Sequence, residues 1–207
     1  MGKKNQKRVS EETFLLETAL GEIHAVNIGI GSIEIAESKL RGVLDLNPNL
    51  SERVEALNLL AQLCAQTERP QEALEHFAKA LAADSGIAVL LTEALADIFE
   101  KIEEWTWGIE VYNQGLSVHE DASFHNGLGY CLAKSGRLKE AEHHSRRAME
   151  LAPDSAIYAN DLGYTLLEQG QVQEARALFE RALQLDPSYE LARENLRICC
   201  EAASESN

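Results

Sequence analysis

The sequence lacks any apolar run approaching the ~20 residues that a membrane span requires, and the basic segment Met1–Arg8 is not followed by the apolar core of a signal peptide. Gly2 sits where N-myristoylation would need it, but Gln6 stands where that motif wants Ser or Thr. These absences lead to the expectation of a soluble, cytoplasmic protein. Cysteine is scarce. Cys64, Cys131, Cys199 and Cys200 form no CxxC pair, and the adjacent two would be strained to bridge on a helix. All four read as reduced thiols that pack between helices, in keeping with a reducing compartment, and not as redox or metal groups. No glycine-rich phosphate loop, nucleophile elbow or Cys/His dyad appears, so neither an enzyme nor a cofactor is expected.

Basic side chains are few as well. The net charge is −15, and four of the 19 basic residues fall in the first ten positions, which contain no acid. Positions 11–207 therefore hold 15 basic against 34 acidic residues, a net of −19. Such a surface repels phosphate backbones, which excludes nucleic acid, and favours a neutral or basic protein or peptide partner.

What the sequence has is self-similarity. Written as two lines of 34 residues, Ala122–Ser155 and Ala156–Tyr189 coincide: Asn126 with Asn160, Leu128-Gly129-Tyr130 with Leu162-Gly163-Tyr164, Gly136 with Gly170, Ala141 with Ala175, Ala148 with Ala182, Pro153 with Pro187. A period of this length is the mark of a helical repeat. The same ending, Leu44-Asp45-Leu46-Asn47-Pro48, appears earlier, and Ala61, Ala73, Phe77 and Ala80 fall where Gly163, Ala175, Phe179 and Ala182 fall later. Capping and breaker residues give helix hairpins over about 10–50, 51–87, 88–121, 122–155 and 156–187. A basic, disordered tail is expected over 1–9. A last helix from about Ser188, with Ala192, Leu196, Cys199 and Ala203 along one side, is expected to cover the end of the stack, and 204–207 to fray.

The packing logic follows from residue size. Ala61, Ala96, Gly129 and Gly163 let the first helix of a hairpin approach its neighbour, and Ala73, Gly108, Ala141 and Ala175 do so from the second. Phe77, Tyr112 and Phe179 fill the space between successive hairpins. Gly136 and Gly170 are read as left-handed caps, Pro70 as a first-turn residue, and Pro153 and Pro187 as stops. Trp105 and Trp107 open the second helix of the third hairpin, either as core at the junction or as an exposed edge that anchors a partner. His143-His144, beside Glu140 and Glu142, read as a solvated helix face and not a metal site, since neighbours on a helix point ~100° apart.

This pattern resembles the tetratricopeptide repeat family. Leu162-Gly163, Leu166, Ala175, Phe179, Ala182 and Pro187 carry it in full; Ser145 departs where the family has an aromatic, and His24 where it has a small residue. The resemblance implies an all-α, right-handed superhelical solenoid of about five antiparallel hairpins with a C-terminal capping helix. It also implies a non-catalytic adaptor or assembly factor that binds a peptide or helix of its partner on the concave wall. Alternatives are a dedicated chaperone for an exported or assembling protein and a scaffold that self-associates through its end helices. The wall positions named for binding are Asn58, Gln62, Glu93, Asp97, Asn126, Tyr130, Lys134, Asn160, Tyr164 and Glu168. The asparagine row either grips an extended peptide by its backbone or forms bonds within the protein; the tyrosines offer rigid contact area. Some family members clamp an acidic chaperone tail with lysines, but those positions here hold Asn58, Glu93 and Asn126, so that clamp is not met.

Overall fold

The computed structural model describes residues 10–27 and 29–205, with side chains as far as Glu201. The tail expected over 1–9, the side chain of Ala203 and positions 206–207 lie outside the described residues, while Ser204 and Glu205, expected to fray, belong to the last helix. Among the described residues there are eleven α-helices and no strand, and no helix is long and apolar enough to cross a membrane. Residues up to Ile98 form one compact unit and residues from Phe99 onward a second. The first unit contains α1 (Glu11–Asn27), α2 (Ile33–Asp45), α3 (Leu50–Gln66), α4 (Pro70–Ala83), a 3-10 turn (Ser85–Ile87) and most of α5 (Ala88–Lys101). The second contains the end of α5, then α6 (Trp105–Val118), α7 (Ala122–Lys134), α8 (Leu138–Leu151), α9 (Ala156–Glu168), α10 (Val172–Leu185) and α11 (Glu190–Glu205).

The helix ends follow from local chemistry. Asn49 and Glu52 make a reciprocal capping box at the start of α3. Pro70 occupies the first turn of α4, where its missing N–H costs nothing. Asp121 accepts from Ser123 N–H at 2.8 Å to cap α7, and Ser155 accepts from Tyr158 N–H at 3.3 Å to cap α9. At the far ends Gly136 and Gly170 adopt φ of +79° and +76°. In both turns the next residue closes back on the helix, Arg137 N–H on Leu132 C=O and Gln171 N–H on Leu166 C=O, each at 2.9 Å. The equivalent turns after α3 and α5 place Glu68 and Glu103 at φ of +58° and +59°, a conformation that a side chain makes costly.

In the first unit α1 packs on α2, α2 on α3 and α3 on α4, and Leu16, Leu40, Val43, Leu60 and Leu63 form one buried cluster shared by α1, α2 and α3. Arg69, which precedes α4, ties the start of that helix to α2 through an ion pair with Glu37. In the second unit each helix from α6 to α11 packs on the next, and α9 also touches α7 and α11. Leu162, Leu166, Ala175, Phe179 and Cys199 form a cluster of buried residues at its C-terminal side. Burying one such aliphatic or aromatic side chain contributes about 1.5–3 kcal/mol. The spacing of α9 from α10 is set by Gly163. A Cβ there would lie 2.7 Å from the ring of Phe179, which is fully buried. The departure at Ser145 has a counterpart in the packing: its hydroxyl would meet a Cβ on Gly129 at 2.6 Å, so α7 and α8 close on a small pair where α9 and α10 close on an aromatic. Tyr112 reaches instead onto Gly127. Cys131 seats its sulfur against Gly108 in the same way. Cys64, Cys131 and Cys199 are buried and Cys200 exposed, all as free thiols, and burial raises the Cys64 thiol to about 11.

One cluster differs from the reading of the sequence. His144 is not on a solvated face. Its ring stacks on that of His125 from α7, with the two Nδ1 atoms 3.0 Å apart. At that distance one nitrogen donates and the other accepts, so the pair holds one proton between them. Burial, then the neighbouring His125 and His143, lower His144 to about 4; burial also lowers His125, beside Glu120 and Arg147.

Two outcomes follow. Glu68→Gly and Glu103→Gly should each raise stability by about 0.5–1 kcal/mol, whereas Gly163→Ala should lower it by about 1–3 kcal/mol because Phe179 cannot move aside; urea denaturation of the three variants gives the signs. Because His144 titrates near 4 when folded and near 6.5 when unfolded, the unfolded chain takes up the proton first as pH falls. Stability present above pH 6.5 should therefore be lost between 6.5 and about 4. Melting of the parent and His144→Gln across that window should show the steeper loss in the parent.

Candidate functional site

The second unit carries a pocket of about 210 Å³ between α7, α9 and α11. Its walls are built by helix periodicity. Tyr130, Ala133 and Lys134 project from successive turns of α7, and Asn160, Asp161, Tyr164 and Thr165 from successive turns of α9. Leu191 and Asn195 of α11 close the third side. The Lys134 ammonium lies 5.4 Å from the centre of the Tyr130 ring and 5.5 Å from that of Tyr164, a cation shared by two aromatic faces. The Trp105 ring meets Tyr130 edge-on, centroids 5.8 Å apart and planes at 86°. Both tryptophans are half-buried, so Trp105 is neither sealed core nor a free edge; it braces a wall of the pocket.

Beneath the aromatics lies a chain of amides around one carboxylate. Asn126 Nδ2 donates to Asp161 Oδ2 at 2.8 Å, and Asn160 Nδ2 donates to Asp161 Oδ1 at 3.1 Å. Asn195 Nδ2 in turn donates to Asn160 Oδ1 at 2.9 Å. Burial pushes the Asp161 carboxyl above its ordinary range, and the two amide hydrogen bonds pull against that. This corrects the expectation that Asn160 offers itself to a peptide. It is 1% exposed, and its donor and acceptor are both engaged within the protein. Asn126 likewise spends its N–H on Asp161, although its Oδ1 is buried with no partner. The helical reason is that position 126 faces α9 across the contact between the two helices.

The remaining named positions fall elsewhere. Glu168 is exposed on α9, a turn beyond Tyr164, and lines no part of the pocket. Asn58 and Gln62 are half-buried on α3 of the first unit, and Glu93 and Asp97 are exposed on α5. Asn58 borders a separate concavity of about 570 Å³ with Leu50, Val54, Ile87 and Leu90; its Oδ1 is buried without a partner. Leu50 and Leu90 there are 53% and 64% exposed. Of the ten wall positions, then, Tyr130, Lys134, Asn160 and Tyr164 come together in one pocket, and Asn126 reaches it through Asp161. Sequence reading missed Asp161 and Asn195. A signal was present: Asp161 follows Asn126 by 35 residues and Asn195 follows Asn160 by the same interval, so one hydrogen-bonding step recurs from α7 to α9 and from α9 to α11. Among the described residues no group of three or more His, Cys, Asp or Glu side chains is arranged to hold a metal.

Two family models, each described as tetratricopeptide repeat, match residues 29–86 and 120–188, together more than half of the chain. No curated protein matches significantly. Among solved structures, YrrB, described as a TPR protein with an unusual peptide-binding site, is 22% identical, over 90% of this chain and 98% of its own, with a TM-score of 0.58. MamA from Desulfovibrio magneticus RS-1 is 17% identical, over 88% of this chain and 99% of its own, with a TM-score of 0.57. The first TPR of Spaghetti (RPAP3), bound to the HSP90 peptide SRMEEVD, is 20% identical, over 58% of this chain and 96% of its own, with a TM-score of 0.55. At these identities the likeness is one of fold. The 34-residue register, the glycine-capped hairpins and the two family matches make this chain a member of the tetratricopeptide repeat family.

Proposed function

We propose that this protein is a non-catalytic interaction module, an adaptor or assembly factor, that holds a peptide segment of a partner protein in the pocket between α7, α9 and α11. The observation that carries this reading is the pocket wall itself. Two half-buried tyrosines share one lysine over rigid helices, which gives amphipathic contact area at little entropic cost. The peptide-binding descriptions of YrrB and of the Spaghetti repeat support the same use of the fold. The partner is neutral or basic, because the net charge of −15 and the absence of lysines at Asn58, Glu93 and Asn126 disfavour an acidic tail. The free thiols support a reducing, cytoplasmic setting.

Self-association is the second reading, and one observation favours it: Leu191 and Ile198, two turns apart along α11, are 53% and 42% exposed. Light scattering over a range of concentrations separates the two, since a mass that does not change with concentration removes the scaffold.

The adaptor reading is tested with Tyr130→Ser plus Tyr164→Ser. Proteins captured from native lysate by the parent and by the double variant are compared by mass spectrometry. The partner should be depleted roughly tenfold or more with the variant, as truncating central aromatic anchors does, while circular dichroism shows the same helicity. Undiminished capture would place the binding surface elsewhere.

A further inference from the structure

We propose that Asp161 is the anchor for a basic side chain, arginine or lysine, of the segment that docks in this pocket. The inference rests on the peptide-binding reading and adds the chemistry of the residue recognised. Asp161 is a partly buried carboxylate that lines the pocket, and its hydrogen-bond donors are two neutral amides, Asn126 and Asn160. Among the described residues no lysine, arginine or histidine nitrogen lies within ion-pair distance of it. A carboxylate taken out of water without a cation is costly to keep charged, and fixed amides offset only part of that cost. Burial accordingly holds this carboxyl above the ordinary carboxylate range.

A ligand cation supplies what the fold withholds. Each carboxylate oxygen takes one amide hydrogen and retains a second acceptor site, so a guanidinium can still bond it. The amides also fix the carboxylate in place. Asn160 is held from behind by Asn195, so the acceptor is pre-oriented and not swung freely on its own stem. The pocket walls suit the same group, because the faces of Tyr130 and Tyr164 favour a cation, and an arginine stacks on them. Lys134 now occupies those faces. Its ammonium sits on a flexible stem and competes with an incoming cation, whereas Asp161 has no rotameric freedom to spare.

The competition gives the test a sign on each side. The probes are Nα-acetyl-arginine amide, its neutral isostere Nα-acetyl-citrulline amide, and Nα-acetyl-glutamate amide, each titrated into the isotope-labelled full chain and followed by side-chain amide and backbone NMR shifts. The arginine probe should move the Asn126 and Asn160 side-chain amide signals saturably, with citrulline and glutamate weaker by roughly tenfold or more, as expected for loss of a charge-assisted bond. Asp161→Asn should abolish the arginine response, and Lys134→Gln, which removes the competing ammonium, should strengthen it. Equal responses to arginine and citrulline in the parent, a stronger response to glutamate, or an arginine response that survives in Asp161→Asn would each overturn the assignment. The citrulline comparison uses the unaltered protein, so it decides even if Asp161→Asn folds poorly. If the tyrosine double variant loses its partner while the parent shows no preference for arginine, the peptide-binding reading stands and the Asp161 assignment falls.

Discussion

The close approach of paired helices at small residues is the constraint from which the rest of the second unit follows. Gly163 gives its Cβ space to the ring of Phe179, and Gly108 gives its own to Cys131. Ser145 takes the place of an aromatic where α7 meets α8. These contacts spend the inner side of each helix on its partner. What remains on α7 and α9 is a strip of positions at i, i+4 spacing, and Tyr130, Lys134, Asp161, Tyr164 and Thr165 lie on it. The pocket is therefore a by-product of hairpin packing. Its chemistry, unlike its position, is not dictated by that packing.

That chemistry centres on one carboxylate. Asn126 on α7 and Asn160 on α9 both direct their N–H groups at Asp161, and Asn195 on α11 secures Asn160. Amides from α7 and α9 bond this carboxyl directly and α11 joins through Asn160, around a group whose charged form burial disfavours. Fully satisfied polar networks rigidify a structure, whereas partly satisfied ones keep a donor or acceptor with no bond made. The unpaired Oδ1 of Asn126 puts this network in the second category. The same repeat position in the first unit, Asn58, also has a buried Oδ1 without a partner.

The packing residues were legible in the sequence because size alone specifies them. Ala61, Ala73, Ala141, Ala175 and Phe179 are all buried as expected, and Gly136 and Gly170 take the left-handed caps. The family followed from the same residues. The site was legible only as a stripe. Helical spacing placed Tyr130, Lys134 and Tyr164 on one side of their helices, but it could not say which way Asn160 points relative to the next helix. That orientation depends on α11, whose register is set by Ala192 and Cys199 and not by the repeated motif. His125 and His144 escaped for a related reason. They lie 19 residues apart on different helices, and only the α7–α8 packing stacks their rings. Glu68 and Glu103 escaped because neither residue signals a left-handed turn, although each occupies the slot that Gly136 and Gly170 fill later.

The central claim is that the partner lies against the pocket between α7, α9 and α11. Site-directed photocrosslinking in cells tests it most directly. A benzophenone amino acid placed at Tyr164, on the pocket wall, should yield an adduct with a partner protein. The same group at Lys139, an exposed position on α8 that lines no part of the pocket, should yield none. An adduct from position 139 and none from 164 would contradict the account.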